Sequence, residues 1–362
     1  MKKILFFLSI FLIQIWIQAQ NNVDSSPDSL VDNSYFEPVS DTLSNINIFE
    51  TDELLNITLQ FDITSFIKNK LKGKYQNATF QIHYGNNQLI SKTIRLKARG
   101  EFRRDKCFLP PIRLNFKTDP LEKEGLVEKV KLVTHCSNVK KYENFILKEY
   151  LIYKLYNVLT DNSFRVRLLN ISYIDTGEKR KNYQNYGFII EPIELLAVRN
   201  EATVINPDII RKESVIEEDA DLVALFQYMI GHTDWRIEGG HNLKYIKSIN
   251  LNPNKVIPVP YDFDFSGFVG ASYSYPQVWT SIKTVQEREY LGYCRNNDEA
   301  YLGNINLFND KKDEIFEIIE EFEYLSEREK TKALKYIEEF YSQINNPERF
   351  VYTLKNECRT EF

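Results

Sequence analysis

The sequence predicts an α+β fold of two lobes, β-rich in the N-terminal lobe and mainly helical in the C-terminal one. Three observations predict it. Apolar and polar residues alternate in runs between residues 54 and 117, as half-buried strands do. From residue 216 onward the apolar spacing is mostly helical, interrupted by one hairpin pattern. The length of 362 residues and a hydrophobic content of 43% suffice for a large core, in one two-lobed unit or two small domains. The expected division is a signal peptide over residues 1–19, a disordered leader over 20–50, a β-rich lobe with one helix over 51–194, and a helical lobe over 195–362.

Composition narrows the class. With 24 Phe and 22 Tyr against 13 Gly and 12 Pro, a disordered or fibrous chain is excluded. The formal net charge of −5 gives no general reason to expect nucleic acid as a partner. Lys2 and Lys3 precede an almost unbroken apolar run over residues 4–17, and Ala19-Gln20 supplies a cleavage point, the pattern of an export signal. The run is short for a membrane span and no second run of spanning length follows, so no stable span is expected after cleavage. The expected destination is the periplasm, the cell surface or the medium. Export tolerates disulfides. Cys107, Cys136, Cys294 and Cys358 allow three pairings if all are bridged, four free buried thiols being the alternative, and their spacings match no zinc pattern.

The elements follow in order. Residues 20–50, rich in Asn, Asp, Ser and Pro, form the leader. Strands are predicted over residues 54–61, 78–84 and 89–99, the last two joined by a turn at Gly85-Asn86-Asn87. In the third strand Ile94, Leu96 and Ala98 share one face, and Arg95, Lys97 and Arg99 the other. After Pro110-Pro111 the pattern repeats, with Ile112, Leu114 and Phe116 opposite Arg113, Asn115 and Lys117. Two neighbouring strands thus present a basic row, which is either a solvated face or the cover over an anionic ligand such as a nucleotide phosphate. A helix is predicted over 143–159, then strands over 166–174 and 186–190. The second strand runs into Glu191-Pro192, where proline stops it, so this hairpin delivers Glu191 and Glu194. A helix over 216–230 begins with acidic residues, as its dipole favours, and ends at Gly231. Strands over 243–249 and 256–259 form a hairpin around Asn252-Pro253-Asn254. Two amphipathic helices fill 310–350, separated near Leu325, with Ser326-x-x-Glu329 as a capping box for the second.

The chemistry concentrates in Gly231-His232-Thr233-Asp234-Trp235, His241-Asn242, and Pro260-Tyr261-Asp262-Phe263-Asp264-Phe265-Ser266-Gly267. Magnesium takes oxygen ligands, commonly one or two carboxylates plus substrate phosphates. Asp262 and Asp264 share a face if the strand continues, Asn242 adds an amide oxygen, and Asp234 stands in a loop that could hold a substrate hydroxyl. An Asp, an Asn, a hairpin and a further Asp is the order in which protein kinases arrange a catalytic carboxylate and two metal ligands. The spacing is not that of an ordinary eukaryotic-type kinase: Asn242 follows Asp234 by eight residues, the triplet is Asp-Phe-Asp, and no G-x-G-x-x-G loop is present.

At these residues, roughly from Lys92 to Gly267, the chain resembles the spore-coat CotH kinase family, exported atypical kinases with a remote protein-kinase-like fold. Ile94-Arg95-Leu96-Lys97-Ala98-Arg99-Gly100 is similar to that family's R-x-R-G strand, and Pro111-Ile112-Arg113-Leu114-Asn115-Phe116 to the strand after it. Gly187-Phe188-Ile189-Ile190-Glu191 resembles its hairpin end. His241-Asn242 and Pro260-Tyr261-Asp262-Phe263-Asp264 resemble its late H-N and P-W-D-x-D signatures, with Tyr261 where the family has Trp. The resemblance implies a two-lobed atypical kinase-like fold that transfers the γ-phosphate of ATP, with magnesium, to a protein Ser or Thr at the cell envelope. It implies Asp234 as the catalytic-loop carboxylate, Asn242 and Asp262 as metal ligands with Asp264 a second candidate, and Glu191 near the nucleotide. Arg99, Arg113 and Lys117 are the candidates for phosphate contact.

Plainer readings stand beside these. Asp262 and Asp264 suit calcium or a structural turn; Asp234 suits a helix terminator and Glu191 a surface strand end. His232 and His241, nine residues apart, make a weaker zinc pair. The competing functions are a phosphotransferase acting on a lipid or sugar, and a non-catalytic cell-surface or adhesion module that keeps the fold.

Overall fold

The computed structural model describes residues 48–49, 51–84, 88–117, 128–206, 210–250 and 255–360. The signal peptide, all of the leader except Ile48 and Phe49, and the turns at 85–87 and 252–254 lie outside the described residues.

Alternation in the first half closes on itself. Strands β1 (Leu55–Phe61), β2 (Gln76–Tyr84), β3 (Gln88–Ala98), β4 (Ile112–Asn115), β5 (Lys129–Val133), β6 (Val166–Asp175) and β7 (Tyr183–Ile190) form a closed barrel in the order β1-β2-β3-β4-β5-β7-β6. Six neighbouring pairs are antiparallel, and β1 closes the barrel by running parallel to β6. Closure leaves no strand edge unpaired, and the alternating apolar residues point inward. Ile57, Leu59, Phe80, Leu96, Leu114 and Ile171 are buried in one cluster inside it.

The basic row expected from β3 and β4 forms, and it is wider than the sequence implied. Lys97 pairs with Arg113, and Arg113 pairs across β5 with Lys131, so three cations stand in register on the barrel's outer face. Strand β5 was not anticipated; its five residues KVKLV alternate too briefly to stand out from the charged stretch around them. Three short helices were also missed: α1 (Ile63–Asn69), α2 (Phe102–Lys106) and α4 (Ile193–Arg199).

Helix α3 (Lys140–Leu159) begins three residues before the predicted start of 143. It is buried on more than one side, Lys148 and Glu149 included, because it lies between barrel strands β6 and β7 and a C-terminal helix, α7 (Lys312–Glu320). Helix α5 (Glu217–Met229) matches its predicted span to within one residue at each end. Strands β9 (Leu243–Ser248) and β10 (Ile257–Pro260) form the predicted hairpin, extended by an unpredicted strand β8 (Ala202–Ile205) into a three-stranded sheet.

The C-terminal layer adds α6 (Glu299–Asp310), α8 (Glu327–Ile344) and α9 (Pro347–Glu357) to α7. Its aromatic interior agrees with expectation: Phe308, Phe340, Tyr341 and Phe350 are buried. The capping box does not form. Ser326 makes no side-chain cap hydrogen bond, and Glu329 instead holds Lys148 at 2.8 Å and Lys332 at 2.5 Å. A buried lysine on α3 competes for that carboxylate and wins, since an unpaired buried charge costs more than an unmade cap. All four cysteines are bridged, Cys107 to Cys136 and Cys294 to Cys358.

Candidate functional site

Helix α5 stops at a glycine that permits a sharp exit. Gly231 has φ +62°, and a β-carbon there would meet the Tyr336 hydroxyl at 2.0 Å. Its carbonyl accepts from the backbone of Gly267 at 2.9 Å, and the Ile230 carbonyl accepts from Phe268 at 3.0 Å. These two bonds tie the loop after α5 to the segment after β10. The two acidic stretches that the sequence separates by a hairpin therefore sit side by side.

The loops meet in a cleft of about 510 Å³ whose walls include Asp234, His241, Asn242, Asp262, Asp264 and Arg99. The Asn242 side-chain amide donates to the Asp234 carbonyl at 2.6 Å and to its carboxylate at 3.2 Å. Tyr261 donates its backbone N–H to the Asn242 carbonyl at 3.0 Å, which places Asp262 next to Asn242 in space. Asp262 itself is held by its backbone N–H, which donates to the Tyr153 hydroxyl at 2.9 Å. Asn242 and Asp262 both adopt left-handed backbone, at φ 54° and 65°. Asn and Asp tolerate that region at a cost other residues rarely bear, and such strain gathers at functional sites.

The same strain overturns one expectation. Strand β10 ends at Pro260, so Asp262 and Asp264 do not share a strand face. They reach the cleft from a turn and differ in environment. The Asp262 carboxylate, half-buried, has no hydrogen bond or ion pair among the described residues. Asp264 is buried, accepts from the Tyr273 hydroxyl at 3.0 Å and lies 3.8 Å from the Arg103 guanidinium. Burial, reinforced by Asp262, pushes the Asp264 carboxyl up to about 7 against the opposing pull of Arg103 and Tyr273.

Asp234 is opposite in character. Burial works against its ionised form, yet the hydrogen bond from His241 Nε2 at 2.7 Å, the nearby imidazoles and Asn242 hold its carboxyl below the ordinary value. The bond to Asp234 in turn holds His241 above its ordinary value. His232 is buried on Gln227 at 2.9 Å, and burial pushes it down to about 4. The two histidines thus serve different partners, Gln227 for His232 and Asp234 for His241. Trp279 closes this side: its indole N–H donates to the Thr233 carbonyl at 3.2 Å, and the Arg236 guanidinium sits 4.7 Å from its ring.

The predicted cations separate. Arg99 lines the cleft, Arg113 stands in the basic row beside Lys131, and Lys117 is exposed beyond the end of β4, outside the cleft walls. Glu191 is buried, and its carboxylate is taken by Arg199 at 3.0 Å and by the backbone N–H of Arg165 at 3.0 Å. It braces the junction after β7 and does not line the cleft, whose wall there is Ile190.

Four residues were not foreseen. Lys131 holds its ammonium 4.2 Å from the Tyr261 ring, with Lys244 at 5.7 Å from the same ring. Burial, with Arg99 and Lys244 adding repulsion, pushes Lys131 down to about 7. Glu149 and Arg103 face each other at 3.4 Å inside the cleft wall. A signal for Glu149 was present, since it stands on the apolar stripe of α3 between Phe145 and Tyr153. For Arg103, in a five-residue helix, the sequence offered none.

Asn242, Asp262 and Asp264 all line the cleft and carry oxygen, the ligand type that hard cations take. Among the described residues no group of three or more His, Cys, Asp or Glu is arranged to hold a metal.

No family model and no curated protein matches the chain. Among solved structures, the Helicobacter pylori proinflammatory kinase CtkA is similar at 12% identity and TM-score 0.34, over 76% of this chain and 92% of that one. Likeness at that level does not establish a shared fold.

Proposed function

We propose that the chain is an exported, magnesium- and ATP-dependent phosphotransferase of kinase-like architecture, of the kind its CotH-like motifs imply, acting on a protein Ser or Thr hydroxyl. The observation that carries this reading is the convergence of Asp234, Asn242 and Asp262 in one cleft, the first two hydrogen-bonded and the third free to bind. Phosphoryl transfer asks for positioning and charge stabilisation, and little else from the protein. Asp234, ionised and fixed by Asn242 and His241, orients the acceptor hydroxyl and takes its proton. Asn242, Asp262 and Asp264 would hold magnesium, which when bound neutralises charge on the phosphates. Arg99, which lines the cleft, and Lys131 and Lys244, whose ammonium groups lie 4.2 and 5.7 Å from the ring of the cleft-wall residue Tyr261, would meet the phosphates of a nucleotide, with Arg113 paired beside Lys131. The apolar run over 4–17 and the two bridged cysteine pairs support export to an oxidising compartment.

Incubation of the mature protein with labelled ATP, magnesium and a panel of envelope proteins tests the reading. Label should appear on protein with wild type and vanish with Asp262→Ala. Equal labelling by the two proteins would overturn it, and label on lipid or sugar alone would reassign the acceptor.

A further inference from the structure

Between β3 and β4 the chain makes an excursion that neither strand requires. It leaves at Arg99, whose N–H donates to the Pro111 carbonyl at 2.8 Å and pinches the base of the loop shut. Within it, α2 carries Arg103, whose side chain is only 7% exposed. The excursion is fastened at its far end by the Cys107–Cys136 disulfide and by the Phe108 N–H, which donates to the Cys136 carbonyl at 2.8 Å. The Thr134 hydroxyl adds a bond to the Leu109 carbonyl at 3.2 Å. On the cleft side Phe102 packs edge-on against Phe265 at 5.4 Å between centroids.

These fastenings have one consequence inside the cleft. They hold the Arg103 guanidinium between two buried carboxylates, 3.4 Å from Glu149 and 3.8 Å from Asp264, while its other amino group donates to the Thr134 carbonyl at 2.6 Å. Thr134 lies two residues before Cys136, and the Cys107 N–H donates to the Arg103 carbonyl at 2.9 Å, so the disulfide brackets the arginine from both sides. One oxygen of Glu149 and the Nε of Arg103 are buried without a hydrogen-bond partner among the described residues. A fixed, permanently charged, planar group suits this place, because a lysine would offer a point charge to one carboxylate at a time.

We infer that Arg103, stapled by the Cys107–Cys136 disulfide, is a positioning residue that keeps Asp264 aimed into the cleft beside Asp262. It acts through Asp264 and Glu149, from within the cleft wall. The inference rests on the reading of the cleft as a metal-nucleotide site. Residues that orient a metal ligand from behind typically change metal affinity by about 10- to 100-fold when removed.

The test uses the mature full-length protein with Mn²⁺ and ADP, binding being followed by electron paramagnetic resonance and folding by thermal melting. Arg103→Met should weaken Mn²⁺ binding by about 10-fold or more, and Arg103→Lys should recover part of the loss. Cys107→Ser with Cys136→Ser, which opens this bridge and leaves Cys294–Cys358 intact, should reproduce the Arg103→Met defect. Adding Arg103→Met to that pair should cost little more, since the changes act on one contact. Wild-type affinity in a folded Arg103→Met or Arg103→Lys protein would overturn the inference alone, as would an equal further loss when Arg103→Met is combined with the cysteine pair. Absence of saturable Mn²⁺–ADP binding in the wild type would overturn both the inference and the reading it rests on.

Discussion

The side-chain amide of Asn242 donates to both the carbonyl and the carboxylate of Asp234, at 2.6 and 3.2 Å. One residue thus fixes the backbone and the side chain of another eight positions away, and it does so from left-handed backbone at φ 54°. The hairpin that follows Asn242 returns the chain to Asp262 beside it. The site is in this sense a loop closed by a single amide.

Asn242→Ala removes both bonds and places a residue that disfavours left-handed backbone there. The expected cost is about 1–3 kcal/mol of stability, read as a lower denaturation midpoint, with loss of labelling from ATP. Asn242→Gly relieves the backbone and should recover much of the stability but none of the activity.

The pair of Asp234 and His241 gives a pH signature. His241 is held above its ordinary value of 6.5, so its contribution is complete below that pH and fades as pH rises through the raised value. Asp234 is held below its ordinary 3.8, so its contribution is present above that pH and is lost as pH falls through the lowered value. The melting difference between wild type and His241→Gln should therefore be largest near pH 5 and shrink by pH 9. With the histidine side chain 44% exposed, screening limits the effect to under about 1 kcal/mol.

Asp264 behaves in the opposite sense. Its carboxyl, pushed up to about 7 from 3.8, costs stability progressively between those values and in full above them. Asp264→Asn should melt higher than wild type at pH 8.5, by on the order of 2 kcal/mol, and the gain should disappear near pH 4. Labelling activity should fall in the same variant.

Lys131 stands 4.2 Å from the ring of the cleft-wall residue Tyr261, whereas Lys117 is exposed beyond the end of β4. Lys131→Met should weaken nucleotide binding by about 10- to 100-fold, whereas Lys117→Met, changed at an exposed position outside the cleft, should leave it within about twofold. Isothermal titration of both variants separates them.

The Cys294–Cys358 bridge ties the segment before α6 to the end of α9 across 64 residues. Cys294→Ala with Cys358→Ala should lower stability by about 2–5 kcal/mol, measured by denaturant unfolding, with the metal-nucleotide affinity of the folded protein unchanged. Loss of affinity in that variant would show that the helical layer shapes the cleft as well as supporting it.

Much of this was legible in the sequence, and the exceptions share a cause. Alternation revealed β1, β3 and β4 because each buries one face, and helical spacing revealed α3 and α5 because each has a long apolar stripe. The order of Asp234, Asn242 and Asp262 was visible because local chain geometry sets their juxtaposition. Barrel closure was not visible, since the parallel pairing of β1 with β6 joins residues more than a hundred positions apart, as Leu55 with Leu169. The roles of Arg103 and Glu149 depend on the same kind of distant contact. The resemblance implied Glu191 as a nucleotide neighbour, whereas its buried carboxylate is taken by Arg199, eight residues on, and by the Arg165 backbone N–H.

The most direct test of the account is the structure of the protein soaked with an ATP analogue and manganese, using anomalous scattering to locate the metal. The expected result is a manganese ion coordinated by Asn242 and Asp262, with the terminal phosphate facing Asp234 beneath Lys131. Manganese elsewhere, or nucleotide absent from this cleft at saturating concentration, would contradict it.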